Sequence, residues 1–195
     1  MSASDGPRIP PLPPDQWSDE VMQGIATLRP PGAQRELRRS KGGPKGLNVL
    51  GTLAQHPPLM QAYHTFNGHI LYTNTLDARQ RELLVLRVAA RRGAEYEWRQ
   101  HVHIALDLGF TAADIERIAE GPHAAGWSPL DAAMLRAVDE LVADAEISDG
   151  TWTLLAAELD RHQLMDLVFT VGAYDLLAMA FKSFGVELDE DLPAS

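Results

Sequence analysis

Apolar residues recur along this chain at intervals of three and four positions, which is the spacing of one face of an α-helix. Capping residues precede many of the apolar runs, and Gly or Pro interrupts them. The pattern predicts helices over residues 15–28, 46–55, 59–72, 78–91, 94–108, 112–119, 129–145, 149–159 and 161–184. The predicted N-caps are Asp15, Asp77, Thr111, Ser128 and either Ser148 or Asp149, and Gly109 is a predicted C-cap. No β-branched alternating run is long enough to predict a strand, so the predicted fold class is all-α.

The first part of the chain differs in composition from the rest. Residues 1–14 are rich in Pro and are predicted to be extended, and the stretch up to Gly46 is polar and rich in Gly and Pro. The basic cluster Arg35–Lys45 is interrupted by Gly, and we interpret it as a solvated loop. We therefore predict an N-terminal extension with one short helix over 1–45 and a helical domain over 46–195.

Charge and composition exclude several classes of function. The 195 residues carry a formal net charge of -10, which disfavours a nucleic-acid partner because a phosphate backbone repels a negative protein. No cysteine is present, so disulfides, thiolate nucleophiles and thiolate metal sites are excluded. The N-terminus has no signal-peptide pattern, and the apolar segment Leu164–Val186 contains Asp166, Asp175 and Lys182, which favours a buried helix over a membrane span. We therefore expect a soluble cytoplasmic protein that binds neither nucleic acid nor membrane.

Three ionisable residues, Glu82, Glu97 and His101, fall on faces that the apolar pattern predicts to be buried. Glu82 lies nearly opposite the predicted polar face of its helix, and Glu97 and His101 lie one turn apart in a row that is otherwise apolar. The residues predicted to face solvent are Gln80, Arg87, Arg91, Arg99 and His103. Antiparallel packing of the two helices across the turn at Arg92 and Gly93 would bring the three buried groups together.

A glutamate and a histidine in a partly dry pocket can exchange protons without a cofactor. We predict that His101 is the main general base or acid, that Glu97 is its partner, and that Glu82 orients the imidazole or transfers a second proton. The residues predicted to line the substrate are Tyr96, Trp98, His64 and His69. Two alternatives remain open. The three groups could form a structural network in a non-catalytic helical oligomer that binds a ligand or partner, or they could bind a metal ion.

The segments "HPPLMQAYHTFNGHIL" and "RELLVLRVAARRGAEYEWRQHVHIALDLGF" resemble the carboxymuconolactone decarboxylase-like family, which includes the alkylhydroperoxidase D (AhpD) proteins. The resemblance covers about residues 46–190. In the peroxidase branch of that family, a Glu is followed by a Cys-x-x-Cys-x-x-x-His motif. Here Glu82 and His101 match the Glu and the His, whereas Ala94 and Glu97 occupy the two cysteine positions.

The resemblance implies an AhpD-like helical bundle that assembles as a homotrimer or homohexamer. The form "EYEW" followed by His101 resembles the decarboxylase side of the family, whose members act without cofactors on small lactone acids of aromatic catabolism. The implied function is that of a cofactor-independent lyase or isomerase acting on a small lactone or oxo carboxylic acid. An alkylhydroperoxidase function by homology conflicts with the missing cysteines, because no thiolate is available to attack a peroxide.

Overall fold

A computed structural model describes residues 6–29 and 45–192, which form nine α-helices and one short 3₁₀-helix and contain no β-strand. In chain order the α-helices are α1 (Asp19–Thr27), α2 (Leu47–Leu53), α3 (Pro57–Tyr72), α4 (Ala78–Arg92), α5 (Glu95–Asp107), α6 (Ala112–Glu120), α7 (Pro129–Asp144), α8 (Asp149–Ala156) and α9 (Arg161–Phe184), and the 3₁₀-helix is Pro14–Gln16. The all-α prediction is therefore confirmed over the described ranges.

The chain divides into two compact units. One unit lies within Met1–Thr73 and Met179–Ser195, and the other is Asn74–Ala178, so α9 contributes residues to both. The predicted linker up to Gly46 and the basic cluster fall almost entirely outside the described residues. The predicted organisation into an extension and a domain stays a prediction.

The first unit is built around the packing of α1 against α3. Val21, Ala54 and Met60 form a buried apolar cluster there. The segment that precedes α1 lies against α2, because the backbone N–H of Leu12 donates to the carbonyl of Gly51 at 3.0 Å. A Cβ atom at Gly51 would lie 2.4 Å from the Leu12 carbonyl oxygen, so only glycine permits this approach.

In the second unit, α4 packs against α5, α6 and α7 and is buried over nine consecutive residues, 81–89. The predicted polar face of this helix is therefore wrong at Arg87, which is only 5% exposed. The Nε and Nη2 atoms of Arg87 each donate to a carboxylate oxygen of Asp139 at 2.7 Å. Its Nη1 atom donates to the carbonyls of Ile118 and Ala119 at 2.9 and 2.8 Å. These contacts connect α4 to both α6 and α7.

Side-chain caps fix the starts of most helices. The confirmed N-caps are Asp77, Thr111, Ser128 and Ser148. The prediction of Asp15 is wrong, because Asp15 lies in the 3₁₀-helix and α1 is capped by Ser18, whose hydroxyl accepts the N–H of Val21. The predicted C-cap of α5 is also displaced by one residue. Leu108 is the C-cap, and Gly109 follows it with a φ of +94°, a value that favours glycine.

The last helix, α9, is long and apolar enough to span a membrane by length and composition alone, and half of its most apolar window is buried within the protein. Its acidic residues have internal partners. The carboxylate of Asp166 accepts the backbone N–H and the hydroxyl of Thr75 at 2.6 and 2.7 Å, and Asp175 accepts hydrogen bonds from Arg92. Such contacts are typical of a helix packed within a folded protein.

Replacing Arg87 with Met should lower the free energy of unfolding by about 3–5 kcal/mol, because Asp139 and two carbonyls would lose a buried partner. The matched control is Arg91→Met on the same helix, since the Arg91 side chain is 41% exposed and its Nε lies 3.4 Å from Asp139. The control should cost less than about 1 kcal/mol. Urea denaturation of both variants measures the difference, and equal losses would contradict the structural role of Arg87.

Candidate functional site

Two helices and the turn between them position the candidate site. α4 carries Glu82, and α5 carries Glu97 and His101. Gly93 ends α4 in the left-handed region with a φ of +56°, which a glycine adopts without strain. The turn is short, so α5 begins at once and packs against α4. The side chains of both helices therefore meet on the facing surfaces.

Glu82 and His101 form a short hydrogen bond between these helices, with 2.6 Å between Oε2 of Glu82 and Nδ1 of His101. Because an ionised carboxylate only accepts hydrogen bonds, Nδ1 is the donor. The edge of the imidazole also meets Tyr174 in a T-shaped contact, with 5.0 Å between ring centroids. The Nε2 atom makes no hydrogen bond with any described residue, and the His101 side chain is 12% exposed. The imidazole is thus held in place by the hydrogen bond at Nδ1, and its Nε2 atom is left without a hydrogen-bond partner among the described residues.

Glu97 is buried separately from this pair. It is 2% exposed, and neither carboxyl oxygen hydrogen-bonds to any residue in the described part of the chain. Burial, reinforced by the negative charge of Asp175, raises the pKa of Glu97 to about 8. Glu97 is therefore mainly an uncharged acid at neutral pH. The expected cluster of three consists of a hydrogen-bonded pair, Glu82 and His101, and a separate buried acid.

Sequence reasoning missed Arg81, which precedes Glu82. It is 5% exposed, and its Nε lies 3.5 Å from Oε1 of Glu82, the oxygen that does not bind His101. A signal was available in the apolar run "ELLVLRVAA" directly after Arg81, because such a run predicts a helix that is buried all round. The residue type itself points the other way, because arginines are usually exposed.

The predicted substrate-lining aromatic residues of α5 have different surroundings. Trp98 is half-buried and lines an open depression of about 380 Å³ at the α4–α5 turn, where the other lining residues are small, among them Ala89 and Ala94, except for Glu95. Tyr96 is buried, and its hydroxyl accepts a hydrogen bond from the Gln100 side chain at 3.2 Å. The depression is therefore mainly apolar and is lined by Trp98 and by one carboxylate, that of Glu95.

The two histidines predicted from the preceding helix lie in the first unit. The Nδ1 atom of buried His64 is 3.0 Å from the carbonyl oxygen of Gly24, and burial lowers the pKa of this imidazole. The exposed His69 has its Nδ1 atom 2.9 Å from the hydroxyl of Thr73. Their role in lining a substrate stays a prediction. Across residues 6–29 and 45–192, no group of three or more His, Asp or Glu side chains is placed to hold a metal ion.

Replacing Glu97 with Gln should remove a pH dependence of stability. Between about pH 4.5 and 8 the unfolded chain ionises Glu97 while the folded chain keeps the proton, so the free energy of unfolding falls as pH rises, by up to about 1.4 kcal/mol per unit. The neutral amide cannot ionise, so the variant should lack this slope and gain stability relative to wild type at pH 8.

The measurement is urea denaturation at pH 5 and pH 8. The matched control is Glu95→Gln, which changes an exposed carboxylate on the same helix and should keep the wild-type slope. An unchanged slope in Glu97→Gln would show that Glu97 is ionised in the folded protein.

Comparison with known proteins finds a family match that spans this site. Residues 57–140 match the carboxymuconolactone decarboxylase family, a range that includes Glu82, Glu97 and His101. No curated protein matches the chain in sequence.

Solved structures with a similar fold include protein ATU0492 from Agrobacterium tumefaciens, of unknown function and described as an AhpD-type antioxidant defence protein. It has a TM-score of 0.66 and 17% identity, and the match covers 73% of this chain and 96% of that one. A peroxidase-related protein with an AhpD core, from Ralstonia eutropha JMP134, has a TM-score of 0.65 and 19% identity over 74% and 78% of the two chains. The debrominase Bmp8 has a TM-score of 0.71 and 12% identity over 94% and 92%. A Bmp8 variant bound to 2,3,4-tribromopyrrole has a TM-score of 0.70 and 13% identity over 98% and 94%.

At these identities the structural likeness establishes the fold, while the family match rests on the sequence. Residues 57–140 of this chain match the model of the carboxymuconolactone decarboxylase family, and the described residues form an all-helical fold of the AhpD type.

Proposed function

We propose that this protein is a cofactor-independent acid–base catalyst, a lyase or isomerase that acts on a small lactone or oxo carboxylic acid. The observation that carries the proposal is the 2.6 Å hydrogen bond between Glu82 and Nδ1 of His101, which leaves Nε2 uncommitted. A carboxylate that binds one imidazole nitrogen fixes the ring and its tautomer, so the other nitrogen can accept a proton.

In the proposed reaction, Nε2 of His101 takes a proton from the carbon next to a substrate carbonyl, and Glu82 stabilises the imidazolium that forms. The proton then returns to the product at a different atom, or replaces the bond to carbon dioxide when the substrate loses its carboxylate. Glu97, held uncharged by burial, is the proposed acid that donates a proton to the developing enolate oxygen and takes that proton back when the carbonyl re-forms. A positioned imidazole and a carboxylic acid that burial keeps protonated are what such chemistry requires.

Two further observations support a small organic substrate. The carboxymuconolactone decarboxylase family match includes the three residues to which we assign proton transfer. The Bmp8 variant, which shares this fold, was solved with a small halogenated heterocycle, so the scaffold can accommodate a ligand of that size. Thiol chemistry is excluded for this chain, because it contains no cysteine.

A non-catalytic, ligand-binding helical protein is the second candidate. The observation that favours it is the burial of Glu82, which is 1% exposed and is approached by both Arg81 and His101, as expected for a structural ion pair. Glu97 distinguishes the candidates, because a structural network would satisfy its carboxyl oxygens and neither has a hydrogen-bond partner among the described residues.

His101→Ala and Glu82→Gln should each lower kcat by about 10²–10⁴-fold on a true substrate, because one removes the base and the other its orienting partner. Turnover of a panel of lactone and oxo carboxylic acids measures the effect. The control is His123→Ala, since His123 is exposed and distant in sequence from the pair. Undiminished turnover in His101→Ala would contradict the acid–base proposal.

We also propose that the chain self-associates, as a homotrimer or homohexamer, through α9. Met165, Phe169 and Leu176 are each more than half exposed, and they fall within an arc of about 40° on the helical wheel. Gly172 lies on the same face, and the space beside it is open, so another helix could approach closely. Their spacing is that of a helix–helix seam.

Leu176→Lys should shift the protein to a smaller species at micromolar concentration, because the substitution places a charge in the proposed seam. Size-exclusion chromatography with light scattering gives the mass. The control is Met22→Lys, which changes a similarly exposed apolar residue on α1 and should leave the mass unchanged. A wild-type chain that is monomeric would contradict the proposal outright.

A further inference from the structure

We infer that Arg81 is the anion-binding residue of this site and that it holds the carboxylate of a small organic acid. The inference rests on the proposed function only where it calls that acid the substrate. The binding of an anion by Arg81 stands on the burial and hydrogen bonding of the guanidinium itself.

Arg81 is a buried cation whose donors are not used. A guanidinium carries five N–H donors and keeps its charge at all accessible pH values. Arg81 is 5% exposed, yet its side chain makes no hydrogen bond with any residue in the described ranges. Its Nε and Nη2 atoms are fully enclosed without a partner. Such a group costs free energy unless something binds it.

Two other arginines of α4, Arg79 and Arg87, have guanidinium groups whose N–H donors are bound by carboxylates. Arg87 is as buried as Arg81 and makes a bidentate pair with Asp139. Arg79 makes a bidentate pair with Asp131 at 2.8 and 3.0 Å, although its side chain is 46% exposed. Each of these guanidinium groups has a carboxylate from another helix. Arg81 has no such carboxylate from another helix among the described residues, which leaves its guanidinium able to take the carboxylate of a bound anion.

Glu82 does not fill this role. Its Oε1 lies 3.5 Å from Nε of Arg81, beyond the 2.7–2.9 Å of a charge-assisted hydrogen bond. Its Oε2 is committed to His101 at 2.6 Å. The remaining edge of the guanidinium, formed by Nη1 and Nη2, is the one that matches a carboxylate in a bidentate fashion. Nη1 is not among the enclosed atoms, so a ligand can reach the guanidinium at Nη1, with Nη2 directly behind it.

The position of Arg81 relates the bound anion to the imidazole. Arg81 and His101 approach opposite oxygens of the same carboxylate, that of Glu82. An acid held by Arg81 therefore has its own carboxylate beside the proposed catalytic pair, with its reacting carbon only a few bonds away. This geometry favours short lactone and oxo acids over long-chain acids or uncharged lactones.

The test uses acetate as the probe and measures binding without turnover. In wild-type protein at constant ionic strength, sodium acetate should shift the ¹⁵N signals of the His101 ring in a saturable way, with a Kd on the order of millimolar. Acetamide, the uncharged analogue, should cause no saturable shift. Absence of a saturable acetate shift in the wild-type protein would overturn the inference.

Variants assign the effect to Arg81. Arg81→Met should abolish the acetate shift, and Arg81→Lys, which keeps the charge but loses the planar fork, should raise Kd by about tenfold. Arg91→Met, an exposed arginine on the same helix, should bind acetate as wild type does. If Arg81→Met does not fold, the comparison rests on Arg81→Lys. Wild-type affinity in either Arg81 variant would overturn the assignment.

Failure of this inference and failure of the proposed function are separable. If acetate binding depends on Arg81 but no lactone or oxo acid is turned over, the anion site is supported and the catalytic proposal is contradicted. If turnover depends on His101 but acetate does not bind, only the anion-binding role of Arg81 is contradicted.

Discussion

Charge buried on α4 is the constraint on which the second unit depends. The helix is enclosed over nine consecutive residues, 81–89, and three of them are ionisable. A charged group in such surroundings is stable only when it is paired, and a helix cannot supply the partners from its own buried face. The partners come from neighbouring helices. Asp139 of α7 meets Arg87, and His101 of α5 meets Glu82. The requirement for pairing thus fixes which helices surround α4.

The same constraint separates structural groups from candidate functional ones. Arg87 uses all three of its nitrogens in hydrogen bonds within the unit, which is the behaviour of a structural residue. Arg81 and Glu97 are equally buried and have unsatisfied polar atoms. Buried polar groups without partners are uncommon in folded proteins and are often explained by a ligand or a catalytic role. Both lie on the two helices that carry the Glu82–His101 pair.

The family match and the residues of the site are consistent with each other once the missing cysteines are taken into account. The resemblance aligns Ala94 and Glu97 with the two thiols of the peroxidase branch, while the Glu and His of the motif are present as Glu82 and His101. Glu97 therefore brings a protonated carboxyl group to a position where relatives have a thiol. The helical scaffold still holds an imidazole against a carboxylate, so proton transfer is the chemistry that these residues can perform.

The sequence by itself determined the helices, most of their caps and the burial of Glu82, because these depend on local spacing and on side chains close in the chain, as at Asp77. It did not determine that Arg87 is buried, because a buried arginine requires a carboxylate from another helix, and Asp139 is supplied only by packing. Nor did it determine which acid meets His101. Glu97 is one turn away along the same helix, yet Glu82 forms the hydrogen bond. The position of α5 along α4 decides which acid His101 contacts. The spacing of residues within either helix cannot predict that position, because it depends on how the two helices pack.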